Sequence, residues 1–141
     1  MPITVPTTKT VISTVPWGIP ITNEVNALRA ELDGLKPTAW TDVTTFINGW
    51  TNHGGTTHPV KFRKVGDVVE VRGTTAGGVL PSQIFTFPVG YRPVHDHGFV
   101  VYSLGTAIAT VSIEANGVVT LQGGSYSGFL YLDPLRFSVT L

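Results

Sequence analysis

The sequence contains no cysteine, and only 13% of its 141 residues are charged, against roughly 25% in an ordinary globular domain. Without thiols there are no disulfides and no thiolate metal sites. The scarcity of charge leaves the surface to Thr, Ser, Asn and Gly, or to contact with other subunits. Nine basic residues balance nine acidic ones, for a net charge of zero. That balance gives no electrostatic footprint for nucleic acid or an anionic membrane, and does little to keep like chains apart. No apolar run approaches the roughly 20 residues of a membrane span. The opening Met1-Pro2-Ile3-Thr4-Val5-Pro6 lacks the basic and apolar regions of a secretory signal. Synthesis in the cytoplasm is therefore expected, with neither nucleic acid nor membrane as a partner.

What is present falls into three zones. Residues 1–20 carry Pro2, Pro6, Pro16 and Pro20 among many Ser and Thr, and proline at that density disfavours helix and central strands. The zone is expected to be an extended arm. Val11, Ile12, Val15, Trp17 and Ile19 are too apolar for a solvated tail and are its candidate anchor residues, laid along a partner or folded back on the chain. Residues 21–37 hold the one convincing helix, expected over 22–35. Thr22 is its candidate cap, Glu24 stands in its first turn, and Gly34 with Pro37 stops it. Ile21, Val25, Leu28, Leu32 and Leu35 follow 4-3-4-3 spacing, the seam of a coiled coil. Two heptads are too few to stand alone, so self-association through these five residues is expected, packing on the chain's own sheet being the alternative.

From residue 38 to 141 the pattern has period two. Val60–Val65 and Val68–Gly73 flank Gly66-Asp67 and read as a hairpin, with Phe62, Val69 and Val71 inward and Lys61, Arg63, Glu70 and Arg72 outward. Gln83–Phe87 is a strand ended by Pro88, and Val89–Pro93 a turn. Phe99–Leu104 and Thr106–Glu114 are strands broken at Gly105. Asn116-Gly117 is expected as a type I′ turn leading to Val118–Leu121. Phe129–Leu132 and Arg136–Leu141 close the chain. Short strands with no helix between them predict an all-β, antiparallel β-sandwich, jelly-roll-like in kind.

Four of these features occur in an order that resembles the C-terminal β-domains of tailed-phage fibre, baseplate and receptor-binding proteins. They are Asn48-Gly49-Trp50, the hairpin Val60 to Gly73, Phe87-Pro88-Val89-Gly90-Tyr91-Arg92-Pro93, and Ile113 to Val119 with its Asn-Gly. Trp17 to Leu28 is similar to the N-terminal anchors of small virion proteins from phages of actinobacteria. The resemblance implies a homotrimer on the virion surface, made in the host cytoplasm. Its arm would hold other virion proteins, and its β-domain would face outward. A tail-fibre or tail-tip module that binds cell-surface glycan fits this, and so does a capsid decoration or head-fibre trimer.

Catalytic signatures are scarce. There is no Gly-x-Ser-x-Gly elbow and no phosphate-binding glycine loop. Asp42, Asp67, Asp96, Glu114 and Asp133 would offer carboxylate pairs, but Asp67 and Asp133 are turn residues and Glu114 ends a strand, so no enzyme is expected. His95-Asp96-His97 is the candidate metal site, since imidazoles two apart share a side of an extended chain. The resemblance adds that related tail tips hold metal ions with His-x-His. Its loop setting argues against it, and no cofactor is expected; His53 and His58 are expected to be solvated. For glycan, Tyr126 in its Gly/Ser loop, Tyr91 and Trp50 are the candidate ligand-binding residues. For Trp40 and Trp50, filling the core under the sheet is the more expected role.

Overall fold

The computed structural model describes residues 18–141, with side chains described from Thr22 onward. The anchor candidates Val11, Ile12, Val15 and Trp17 lie outside those residues. The chain divides into two compact units after Lys36.

In the first unit, α1 spans Gly18–Leu35 and starts four residues before the expected Thr22 boundary. Pro20 is compatible with this early start because a first-turn N–H has no intrahelical partner to lose. Three expectations are corrected as a result. Ile19 belongs to a helix and not to an extended arm, Thr22 is not the cap, and the first turn holds no acidic residue. Ile21 also lies within α1. The helix ends as expected, one residue past Gly34 and two before Pro37. There the Lys36 amide donates to the Asp33 carbonyl at 3.3 Å, and the Lys36 ammonium pairs with the Asp33 carboxylate at 2.7 Å. Along the seam Val25, Leu28, Leu32 and Leu35 are 37%, 57%, 61% and 63% exposed.

The second unit, Pro37–Leu141, holds eleven strands. In chain order the first six are β1 (Thr41–Asp42), β2 (Trp50–Asn52), β3 (Lys61–Val65), β4 (Val68–Arg72), β5 (Thr74–Gly77) and β6 (Ser82–Thr86). The rest are β7 (His97–Tyr102), β8 (Ile108–Ile113), β9 (Val118–Gly124), β10 (Phe129–Tyr131) and β11 (Arg136–Ser138). All pairings are antiparallel, in a first sheet β1-β3-β4-β11, a second β10-β5-β2 and a third β6-β9-β8-β7. The all-β class is borne out. Its strands divide among three sheets, where a jelly roll has two.

The hairpin β3-β4 has the expected register, with Phe62 opposite Val71 and Val65 opposite Val68 across Gly66-Asp67. Gly66 takes φ +59°, the positive value a two-residue loop requires at its first position. Phe62, Val69 and Val71 are buried. The Asn116-Gly117 turn is a correction. Only Gly117 has positive φ, its amide donates to the Glu114 carbonyl at 2.7 Å, and the Glu114 amide donates to Val118 at 2.9 Å. This is a three-residue loop with a bulge glycine, and the Asn116 side chain accepts from the Val118 amide at 2.9 Å. The type I′ turn sits instead at Asn48-Gly49, with φ of +54° and +79° and the Trp50 amide donating to Ile47 at 3.1 Å.

Phe87 knits the core. Its ring meets Phe62 at 5.2 Å and Phe137 at 5.3 Å from the first sheet, and Phe85 of β6 at 5.0 Å. A bulge between Gln83 and Phe85 turns the consecutive Ile84 and Phe85 both inward, which strict alternation would forbid.

Candidate functional site

The chain leaves the first sheet for the second at Gly73, where φ is +118°. A Cβ there would stand 2.4 Å from the Pro59 carbonyl oxygen, so only glycine lets the two backbones approach. Around this crossing lies a cleft of about 310 Å³, lined by Thr56, Thr57, His58, Gly73, Thr74, Tyr131 and Asp133. Hydrogen bonds fix each wall. The His53 amide donates to Thr74 at 2.9 Å and the Thr74 amide to His58 at 3.1 Å, which pins the loop between β2 and β3 to β5. Within that loop Thr57 donates its hydroxyl to the Gly54 carbonyl at 2.7 Å. Opposite, the Asp133 carboxylate accepts from the Gly73 amide at 3.3 Å, and the Leu132 amide donates to Gly73 at 2.9 Å. Along the rim the His53 ring lies 4.6 Å from Phe129, and Phe129 stands edge-on to Tyr131 at 5.4 Å. The lining offers hydroxyls, one imidazole, one carboxylate and a phenol, a set suited to a hydroxyl-rich ligand.

Other residues singled out in the sequence have structural roles. Trp50 is 2% exposed, and its indole N–H donates to Ser82 at 2.8 Å. It fills the core, the more expected of its two roles, and is not a ligand platform. Tyr126 is half-buried rather than displayed: its ring lies 5.2 Å from Trp50 and its hydroxyl donates to the Gly77 carbonyl. Burial raises the Tyr126 pKa. Tyr91 packs edge-on against Phe62 at 4.9 Å, with the Lys64 ammonium over its ring at 5.3 Å. These three are brought near the core, and the cleft has none of them.

His95 is exposed in the loop before β7, while His97 opens β7 with its ring 6.1 Å from Phe137 and 6.2 Å from Phe99. Asp96 between them accepts from the Ala115 amide at 2.8 Å. Among the described residues no three His, Asp or Glu side chains gather as a metal site would need. Also among them, no helix is long and apolar enough to cross a membrane.

Trp40 is the residue whose setting sequence reasoning missed. It is not in the core. The Arg63 and Arg72 guanidinium groups both lie over its ring, at 4.4 and 4.7 Å. The clue was present: Arg63 and Arg72 alternate outward in the hairpin, and Trp40 directly precedes β1.

No protein-family model matches the chain, nor does any curated protein. Among solved structures, the chain is similar to the receptor binding protein (gp15) of Listeria phage PSA. The TM-score is 0.66 at 17% identity, covering 100% of this chain and 90% of the other. The likeness is one of fold, and it bears out the resemblance to tailed-phage receptor-binding proteins carried by the motifs.

Proposed function

We propose that this chain is a virion surface protein of a tailed phage, a homotrimeric tail-tip or tail-fibre module whose β-domain binds cell-surface glycan. The observation that carries the reading is the likeness of fold to a phage receptor binding protein, at a TM-score of 0.66. That likeness favours the tail over a capsid decoration or head fibre. The cleft at Gly73 is the glycan site, with Tyr131 as a stacking face and His58, Asp133 and the threonine hydroxyls as hydrogen-bonding partners. Asp133 is the single carboxylate there and is already engaged by the Gly73 amide. The site therefore binds without an acid–base pair for hydrolysis.

A shallow cleft of this kind binds weakly on its own. Three copies on one axis raise the avidity by about 10²–10⁴. The exposed stripe Val25, Leu28, Leu32 and Leu35 supplies the self-association, and residues 1–17 attach the assembly to other virion proteins. The third sheet adds apolar surface for the same purpose, since Val100, Tyr102 and Ile108 are each more than half exposed.

Light scattering on the full chain tests the assembly: a trimer is expected, converted to monomer by Leu28→Asn with Leu32→Asn. A parent chain that already runs as a monomer ends the trimer reading. Glycan-array binding tests the site, with signal expected from the parent and lost in Tyr131→Ala. Binding that survives Tyr131→Ala and Asp133→Asn together places the site elsewhere.

A further inference from the structure

We infer that the outer face of the first sheet carries an anion subsite formed by Arg72 and Lys61 beside Trp40. It takes a phosphodiester or carboxylate group of the surface polymer, an inference that rests on the receptor-binding reading and narrows its ligand.

Lys61 stands directly opposite Arg72, and like charges directly opposite are destabilising on a sheet. The other charged pairs in this sheet match opposite signs: Asp42 with Lys61, Arg63 with Glu70, and Arg136 with Glu70. The mismatch is therefore local. Glu70 accepts from both Arg63 and Arg136 at 3.1 Å, and Asp42 lies 3.6 Å from Lys61. Arg72 is exposed, and among the described residues it has neither an ion pair nor a side-chain hydrogen bond. Four cations, Lys61, Arg63, Arg72 and Arg136, face two carboxylates, Asp42 and Glu70, in a chain whose net charge is zero.

Geometry then says what fits. The contact with the Trp40 ring, 4.7 Å from its centre, occupies none of the five N–H donors of the Arg72 guanidinium. A planar fork of this kind matches two oxygens of one anion. Lys61 stands across the strands at the register position opposite Arg72, and an anion held by both would offset their like charge. Arg72 also directly precedes Gly73 of the cleft, so a polymer crossing the cleft has a charged foothold beside it.

The test uses the full chain against soluble poly(glycerol phosphate), polygalacturonate and neutral dextran, by calorimetry over a salt series. Binding to one or both polyanions but not to dextran is expected, and which one binds identifies the anion. Arg72→Gln should weaken it by about tenfold and lower the salt slope by about one, with Tm held within about 2 °C. Lys61→Gln should act alike, and Arg29→Gln on α1 should change nothing. The inference is overturned if neither polyanion binds, or if Arg72→Gln and Lys61→Gln bind as the parent does. Adsorption to host cells separates the two readings. Cell binding by a parent whose polyanion binding is absent, or unchanged in Arg72→Gln, removes the subsite and leaves receptor binding intact. Polyanion binding lost in Arg72→Gln, by a parent that adsorbs to no bacterium, keeps the subsite and removes the receptor reading.

Discussion

Trp50 and Trp40 flank the same stretch of chain and have opposite surroundings. Around Trp50 every group is spoken for. Its N–H is bonded to Ser82, Tyr126 lies against its ring, and Gly78 approaches so closely that a Cβ would sit 2.1 Å from the indole. Around Trp40 the ring is held by two guanidinium groups, one of which keeps all its donors. The contrast separates two uses of one side chain. A tryptophan closed by hydrogen bonds and close backbone contacts specifies a fold, whereas one beside an arginine without an ion pair leaves that arginine's donors at the surface.

Substitutions would break that contrast at graded cost. Gly78→Ala, at a φ of +58° and against a rigid buried ring, should lose about 3 kcal/mol in urea unfolding. Trp50→Phe, which removes the bond to Ser82 and leaves a void, should lose about 2 kcal/mol with an unchanged m-value. Tyr126→Phe should cost about 1 kcal/mol near neutral pH, where the phenol is protonated in folded and unfolded chains alike. Its raised pKa gives the sign at high pH. The stabilising term is whole below pH about 10, where the unfolded tyrosine ionises, and is lost as pH climbs through the folded value. Stability of the parent should therefore fall more steeply above pH about 10 than that of Tyr126→Phe. Trp40→Phe should cost only about 0.5 kcal/mol. If Trp40→Phe proves as damaging as Trp50→Phe, the two settings are not different in kind.

Much of the β-domain was legible because its signals are local. The β3-β4 hairpin announces itself by alternation and a Gly-Asp turn, and its facing was correct to the residue. β5 was not seen: Thr74-Thr75-Ala76-Gly77 has no apolar alternation, and it is buried because neighbours satisfy it, Thr75 donating its hydroxyl to Thr51 at 2.7 Å. The two Asn-Gly dipeptides show the limit of turn chemistry. The same residues make a type I′ turn at Asn48-Gly49 and a bulged loop at Asn116-Gly117. The second joins the paired strands β8 and β9, whereas the first leads into β2 of a different sheet from β1, a difference the dipeptide does not carry. The cleft was invisible for a different reason. Its walls come from segments around residues 57, 73 and 132 that only the passage between sheets brings together.

The Asn116-Gly117 loop has a second neighbour whose consequence reaches beyond this molecule. Phe87 donates its amide to the Gly117 carbonyl at 2.9 Å, Arg92 donates to the Phe87 carbonyl at 2.8 Å, and a Cβ on Gly117 would stand 2.7 Å from the Arg92 side chain. The Phe-Pro-x-Gly-Tyr-Arg-Pro stretch and the distant Asn-Gly are thus two halves of one clasp. A side chain at Gly117 would have to displace the arginine and would still meet the Phe87 carbonyl oxygen at 2.8 Å, at a φ of +91° that favours glycine, so the two strings constrain each other. Paired in that way, two short strings too common to identify anything singly become a joint signature for finding such domains where overall identity has faded.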